Sequence, residues 1–310
     1  MADDAGSLLE RAQAGDRAAL ARLLSIVERG GEAGRGVAAL THPAGGSAYT
    51  IGLTGAPGAG KSTLTSALLS VARGHDQRVA VLAIDPSSPF SGGAILGDRV
   101  RMQDHTGEEG IFIRSMATRG HLGGLSVATP EAVRVLDAVG WPWILIETVG
   151  VGQVEVEVVG AADTTVVVVN PGWGDAVQAN KAGLLEIADV FVVNKADRPG
   201  VEDTRRDLQR MLDLTARDGW RPPVISTSAP TGEGVEDLWS AIGEHRAEIE
   251  RTGELERRRE ERVERELATF VAVLLQERAR ATGGAALQEL AASVLARTTD
   301  PWSAAAELLR

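Results

Sequence analysis

The chain of 310 residues contains no cysteine. That single absence removes a disulfide framework, a thiolate metal site and a cysteine nucleophile. Histidine is scarce, with five scattered residues, so no His-rich tract of the kind that holds nickel or zinc exists. No run of eighteen apolar residues occurs, and no membrane-spanning helix is expected. The opening stretch MADDAGSLLERAQAG is acidic and amphipathic, without the basic start and apolar centre of a signal peptide. Positive charge is in deficit: 32 Lys and Arg face 43 Asp and Glu, a formal net charge of -11. Broad contact with nucleic acid or an anionic membrane is not expected. These absences together fit a cytoplasmic protein.

What is present is a core. Hydrophobic residues make up 44% of the chain. Residues 6–30 read as two short helices, and a Gly/Pro-rich link follows over 30–47. Strands and helices then alternate: strands 49–54, 78–84, 111–114, 143–148, 164–170, 190–194 and 223–227, with helices 61–73, 129–139, 201–217 and 234–251. VAVLAI, WILIET, TTVVVV and DVFVV are continuous apolar runs, as in strands buried on both faces. The fold class expected is α/β, with a mainly parallel central sheet flanked by helices. After residue 244 the composition changes. Glu254 with Arg258 and Glu261 with Arg265 are i,i+4 pairs on a solvated helix start. Val263, Leu267, Phe270, Val271, Leu274 and Leu275 then form one helical stripe. Two short helices, around 284–296 and 301–309, end the chain. Three segments are expected: an N-terminal helical segment, 1–46; a central domain, 47–245; and a C-terminal helical extension, 246–310. The extension either packs on its own domain or forms a dimer arm.

The central domain opens with TIGLTGAPGAGKST. Gly55, Gly58, Gly60, Lys61 and Ser62 fill the pattern G-x-x-x-x-G-K-[ST] between a strand and a helix. Backbone N–H groups from Gly55 to Thr63, Ala56 and Ala59 included and Pro57 excepted, can curl around phosphate oxygens because glycine offers no Cβ obstruction. The helix start adds partial positive charge. Lys61 is expected on the β- and γ-phosphates and Ser62 on Mg²⁺. At a later strand end, VFVVNKADRPG supplies Asn194, Lys195 and Asp197. A carboxylate there can accept from guanine N1–H and the 2-amino group, donors that adenine lacks. The backbone of Ser228, Ala229 and Pro230 at the next strand end can close over the base. GTP and GDP are the expected nucleotides.

WILIETVGVGQ ends a strand in Glu147, where D-x-x-G is common, and Asp85 and Asp98 follow another strand in sequence. These acids can approach Mg²⁺ directly or through water; for Asp98 a helix cap competes. RSMATRGHLGG adds Arg114, Arg119 and His121 in a glycine-rich segment. The last unusual stretch is VVVVNPGWGDAVQANKAG, a buried strand that empties into Asp175, Gln178 and Lys181.

GAPGAGKST, AIDPSSP, GGAILGDRVRM, RGHLGG, ETVGVGQ, NPGWGDAVQANKAG and NKAD, in this order, resemble the MeaB family, whose older label is ArgK, an arginine/ornithine transport ATPase. The resemblance spans nearly the whole chain. It implies a P-loop GTPase that chaperones an adenosylcobalamin-dependent acyl-CoA mutase, methylmalonyl-CoA mutase being the type partner; the homodimer expected of the chain rests instead on the apolar stripe from Val263 to Leu275. It also implies that the loop after Asn170 is a further switch. There Lys181 would stabilise transition-state charge, Gln178 would orient it or a water, and Asp175 would hold the loop otherwise. A solvated loop that merely starts the next helix is the plain alternative. Trp173 departs from a smaller aliphatic residue common in the family. Rival functions are a metallochaperone GTPase, disfavoured by the missing Cys and sparse His, and a small-molecule kinase or transport ATPase, disfavoured by NKAD. A signal-recognition GTPase would want a Met-rich or basic segment, and four methionines and the net charge of -11 do not supply one.

Overall fold

The computed structural model describes residues 4–86, 105, 107–118, 124–148, 160–172, 186–214, 219–282 and 284–308. Among them, seven strands form one sheet: β1 (Tyr49–Gly55), β2 (Val79–Pro86), β3 (Ile111–Thr118), β4 (Trp143–Thr148), β5 (Thr164–Val169), β6 (Val190–Asn194) and β7 (Val224–Thr227). Their order is β3-β2-β4-β1-β5-β6-β7, and every pairing is parallel. Register places Leu53 opposite both Glu147 and Val166. The chain builds outward from β1 to one side, returns through β4 beside it, then continues through β5 to the other side. The crevice at such a reversal is where open α/β sheets bind ligands.

Alternating residues of β2 serve two different cores. Val79, Val81 and Ala83 face a cluster with Leu64, Leu68 and Leu69 of α4 (Lys61–Gly74). Their neighbours Ala80, Leu82 and Ile84 face the other side. There they meet Leu20, Leu23 and Leu24 of α2 (Arg17–Arg29) and Val135 and Leu136 of α5 (Gly124–Ala138). Both faces are covered, so β2 shows no polar alternation, and even Thr50 and Thr54 of β1 are buried. A third cluster joins Val167, Val169, Phe191 and Val193 to Leu208 and Leu212 of α6 (Val201–Leu214). Each fully buried Val, Leu or Phe adds roughly 1.5–3 kcal/mol.

The link expected over 30–47 is largely helix. After α1 (Ala5–Gln13) and α2 comes α3 (Gly31–Thr41). Its glycines looked like linker chemistry. Gly34 lies against α2, where an added Cβ would meet Ile26 O at 3.5 Å, an ordinary van der Waals contact, so the position does not demand glycine. Val37 and Thr41 are buried on the same helix. Asp137 then gathers the turn that enters β1, accepting from the backbone N–H of Gly46, Ser47 and Ala48.

The chain groups into two compact units, Met1–Arg259 and Glu260–Arg310. Helices α1 to α3 share a core with the strands of the first unit. Helix α7 (Val235–Thr252) runs through residue 246 without a break. The second unit contains most of α8 (Glu254–Thr282), then α9 (Gly284–Leu295) and α10 (Pro301–Leu308). Among the described residues, no helix is long and apolar enough to cross a membrane.

The N-terminal edge of the sheet carries an ionic clasp. Asp163 and Asp189 stand immediately before β5 and β6 and accept from the strand amides of Thr50 and Thr165. Arg258 forks onto Asp189 with two bonds of 3.0 Å. Its neighbour Arg259 grips Asp163 at 2.9 Å and also donates to Ala48 O. Burial raises the Asp189 carboxyl, but His245 and the Arg258 fork outweigh it and hold it below the ordinary 3.8. His245 is fully buried. Its Nε2 lies 3.2 Å from Asp189 Oδ1, close enough for attraction but not aligned as a hydrogen bond. Its Nδ1 meets Thr164 Oγ1 at 2.8 Å, and Tyr49 OH meets the same hydroxyl at 2.6 Å.

Candidate nucleotide site

The C-terminal edge of the sheet gathers the chemistry-bearing loops, because parallel strands all end there. β1 runs into the glycine loop, β4 ends beside Glu147, β6 ends at Asn194, and β7 leads into Ser228. Gly55 has φ 137°, and an added Cβ would sit 2.0 Å from Val168 O of the adjacent strand. Only glycine lets the loop leave the sheet there. Gly60, at φ 90°, is the second obligate position: a Cβ would stand 2.6 Å from Asn194 Nδ2.

Lys61 begins α4 and is buried. Its ammonium donates to Gly55 O at 2.6 Å and Ala56 O at 3.1 Å. It lies back across the first residues of the loop it closes. Ser62, also buried, donates to Glu147 Oε1 at 2.6 Å. Thr65, one helical turn further, donates to Glu147 Oε2 at 2.9 Å. Glu147 is only 1% exposed, so both carboxylate oxygens meet protein donors in a closed space. Thr63 points to solvent.

Asn194 acts as a clip. Its Nδ2 donates to Ala59 O at 2.8 Å in the glycine loop. Its Oδ1 accepts from Thr227 Oγ1 at 3.1 Å and Ala229 N at 3.3 Å. One amide thus ties three strand ends together, and both of its ends bond to protein. Lys195 adopts φ 63° and donates from Nζ to Gly58 O at 2.6 Å, laying its stem toward the glycine loop. Asp197 is exposed on the rim rather than buried, with the Ser228 hydroxyl at 3.4 Å. The backbone N–H of Ser228 donates to Glu233 O and that of Ala229 to Asn194. These amides shape the loop. Pro57 and Pro230 are exposed at its margins.

The sequence-derived residues therefore separate into three sets. Gly55, Gly58, Gly60, Lys61, Ser62, Glu147, Asn194, Lys195 and Asp197 come together at one edge. Asp85 ends β2 on that edge by its backbone; its side chain, like the whole of Asp98, Asp175, Gln178 and Lys181, lies outside the described residues, as do Arg119, His121 and Trp173. Arg114 belongs elsewhere: it donates to Ser25 Oγ at 3.0 Å and Glu28 Oε2 at 2.7 Å, joining β3 to α2. Thr65 was missed, because a threonine inside a helix carries no pattern of its own. Among the described residues no group of three or more His, Cys, Asp or Glu side chains could hold a metal ion.

Chemically, the loop can take a phosphate chain: successive amides, a helix start and one lysine converge on it. The Ser62 hydroxyl with the Glu147 carboxylate behind it offers the oxygen chemistry that a hard divalent cation requires. A ring laid between Lys195 and Asp197 would meet an acceptor at its edge.

A family model described as "Methylmalonyl Co-A mutase-associated GTPase MeaB" matches residues 20–283. A Pyrococcus abyssi protein that carries a GTPase description is 49% identical over 308 residues, covering 98% of this chain and 95% of its own. The mouse protein named "Methylmalonic aciduria type A homolog, mitochondrial" is 39% identical over 217 residues, covering 68% of this chain and 52% of its own. Among solved structures, one titled "Crystal structure of LAO/AO transport system kinase" superposes with a TM-score of 0.73 at 26% identity, covering 98% of this chain and 96% of that one.

Proposed function

The chain belongs to the MeaB family of P-loop GTPases, and from that premise we propose that it is a GTP-hydrolysing chaperone of an adenosylcobalamin-dependent acyl-CoA mutase, gating loading, protection or repair of the cofactor. The mutase is methylmalonyl-CoA mutase or a close relative. The family model's description and the mouse relative's name support this choice of partner. The observation that carries the nucleotide reading is the Asn194 clip, which holds the N-K-x-D segment against the glycine loop.

In this reading the amides from Gly55 to Thr63 and the Lys61 ammonium bind the phosphates. Asp197 accepts from the guanine edge, and Lys195 lies along the base. Mg²⁺, when bound, supplies positive charge to the phosphate oxygens. Ser62, Glu147, Asp85 and Asp98 are the oxygen groups that would hold it, directly or through water. Asp175, Gln178 and Lys181 form the partner-responsive set, with Lys181 supplying transition-state charge. The apolar stripe of the second unit has Val263, Leu267, Val271 and Leu274 each half exposed or more. A second copy of the chain would cover it, giving a homodimer, and light scattering at tens of micromolar tests that.

The deciding experiment is steady-state GTPase activity with and without a cobalamin-dependent acyl-CoA mutase, with ATP as the control nucleotide. Slow intrinsic GTP turnover stimulated by the mutase is expected. Lys181→Ala should leave basal turnover in place and cut the stimulated rate by roughly 10–10³-fold, below an arginine finger because lysine lacks the bidentate fork. Equal use of ATP, or indifference to every such mutase, would overturn the reading.

A further inference from the structure

We infer that Thr65 is a positioning residue for the metal side of the site, acting through Glu147. The inference rests on the reading of Ser62 and Glu147 as the groups that serve Mg²⁺. Thr65 follows Ser62 by three residues, so the two hydroxyls project from one face of α4. Each takes a different oxygen of the same carboxylate, Ser62 at 2.6 Å and Thr65 at 2.9 Å. Thr65 is fully buried and Glu147 nearly so.

The pairing answers a question raised by the sequence. Where this class commonly has Asp, the chain has Glu, a side chain with one more methylene and one more free torsion. A longer acid at the end of β4 would be free to swing. Here Thr65 pins Oε2 against the second turn of α4, which leaves Oε1 directed at the Ser62 hydroxyl. Ser62 then donates its proton to the carboxylate, and its lone pairs point elsewhere. A hydroxyl whose proton is held in this way is a better-oriented oxygen donor for a small cation that demands near-ideal octahedral geometry. In this role Thr65 acts through Glu147 alone. Its hydroxyl fixes the group that fixes the ligand. Valine puts a methyl group where this hydroxyl stands, so Thr65→Val removes the bond to Glu147 with little change of shape.

The test compares GDP affinity by calorimetry on the full chain, with Mg²⁺ titrated and with chelator, for wild type, Thr65→Val, Thr65→Ser and Glu147→Gln. Thermal unfolding of each protein is recorded alongside. Loss of a group that orients a metal ligand costs roughly 10–100-fold in metal affinity. Thr65→Val should therefore raise the Mg²⁺ concentration needed to tighten GDP by roughly that factor. Its GDP affinity in chelator should match wild type, and Thr65→Ser should restore the Mg²⁺ response. A destabilised Thr65→Val is read through Thr65→Ser, which must behave as wild type. A normal Mg²⁺ response in Thr65→Val, with an altered one in Glu147→Gln, overturns the role of Thr65 and leaves the site reading standing. Normal responses in both variants overturn the role of Thr65 and the metal assignment together. Equal loss of GDP affinity in chelator and in Mg²⁺ for Thr65→Val marks a merely structural threonine and also overturns the proposal.

Discussion

The two ends of the same parallel strands have opposite chemistry. At the C-terminal edge, polar groups sit on glycine-rich turns, and Asp197 stands exposed with one long contact of 3.4 Å. At the N-terminal edge, Asp163 and Asp189 are buried, and each meets both a strand amide and an arginine. The difference separates two uses of a carboxylate. One kept accessible can read a ligand. One bonded to a strand amide and forked by an arginine holds structure, and losing a partner there leaves a buried charge unpaired.

Four variants test that division. Asp197→Asn should have the largest effect. Two charge-assisted bonds to guanine, each worth about 1.5–3 kcal/mol, would be lost, weakening GTP by roughly 10²–10⁴-fold. The amide should favour a xanthine nucleotide instead, and folding should be unaffected; competition between the two nucleotides measures it. Arg258→Ala breaks the other edge. Arg258 retains some exposure, so the low end for a broken buried pair applies, about 3 kcal/mol in chemical denaturation.

The same variant should shift acid unfolding. The Asp189 carboxyl is held below 3.8 in the folded chain, so the unfolded chain binds the proton more readily. That contribution is present above about pH 4 and fades as pH falls through the folded value. Without Arg258, acid unfolding monitored by circular dichroism should begin at higher pH; an unchanged profile would show that the fork contributes nothing to folding. Lys61→Ala comes third, with GDP affinity reduced roughly tenfold or more through loss of one charge-assisted contact. Tyr49→Phe is the smallest. It removes a buried hydroxyl from the chain through Thr164 to His245 and should cost about 1 kcal/mol, leaving nucleotide affinity untouched.

Legibility followed the range of the interactions. Strands over 143–148 and 190–194 were readable because burial on both faces leaves unbroken apolar runs. The glycine loop and N-K-x-D were readable because backbone geometry and base chemistry each dictate local spacing. Helix α3 was hidden, since Gly31, Gly34 and Gly36 give its sequence the composition of a linker while Val37 and Thr41 bury one face. The clasp was hidden for another reason: Arg258 reaches Asp189 across 69 positions and Arg259 reaches Asp163 across 96. One local hint existed. Asp163 and Asp189 each follow an alanine and precede a strand that opens on a β-branched residue, Ala162-Asp163-Thr164 and Ala188-Asp189-Val190. Thr65 gave no hint at all, because its partner lies 82 positions away.

The clasp also sets a phase. Successive residues on a helix point about 100° apart, and Arg258 and Arg259 use that divergence to reach carboxylates at the heads of β5 and β6. The start of α8 is therefore fixed in rotation about its own axis, as a key is fixed by two adjacent teeth. One residue inserted between Thr252 and Arg257 would turn both guanidinium groups by about 100° and present Arg257 and Arg258 where Arg258 and Arg259 now stand. The side chains would still be arginines, so the helix could re-engage one notch over. A run of three arginines at 257–259 thus gives the joint a second tooth pattern, and tolerance to a one-residue slip is built into the spelling of the helix.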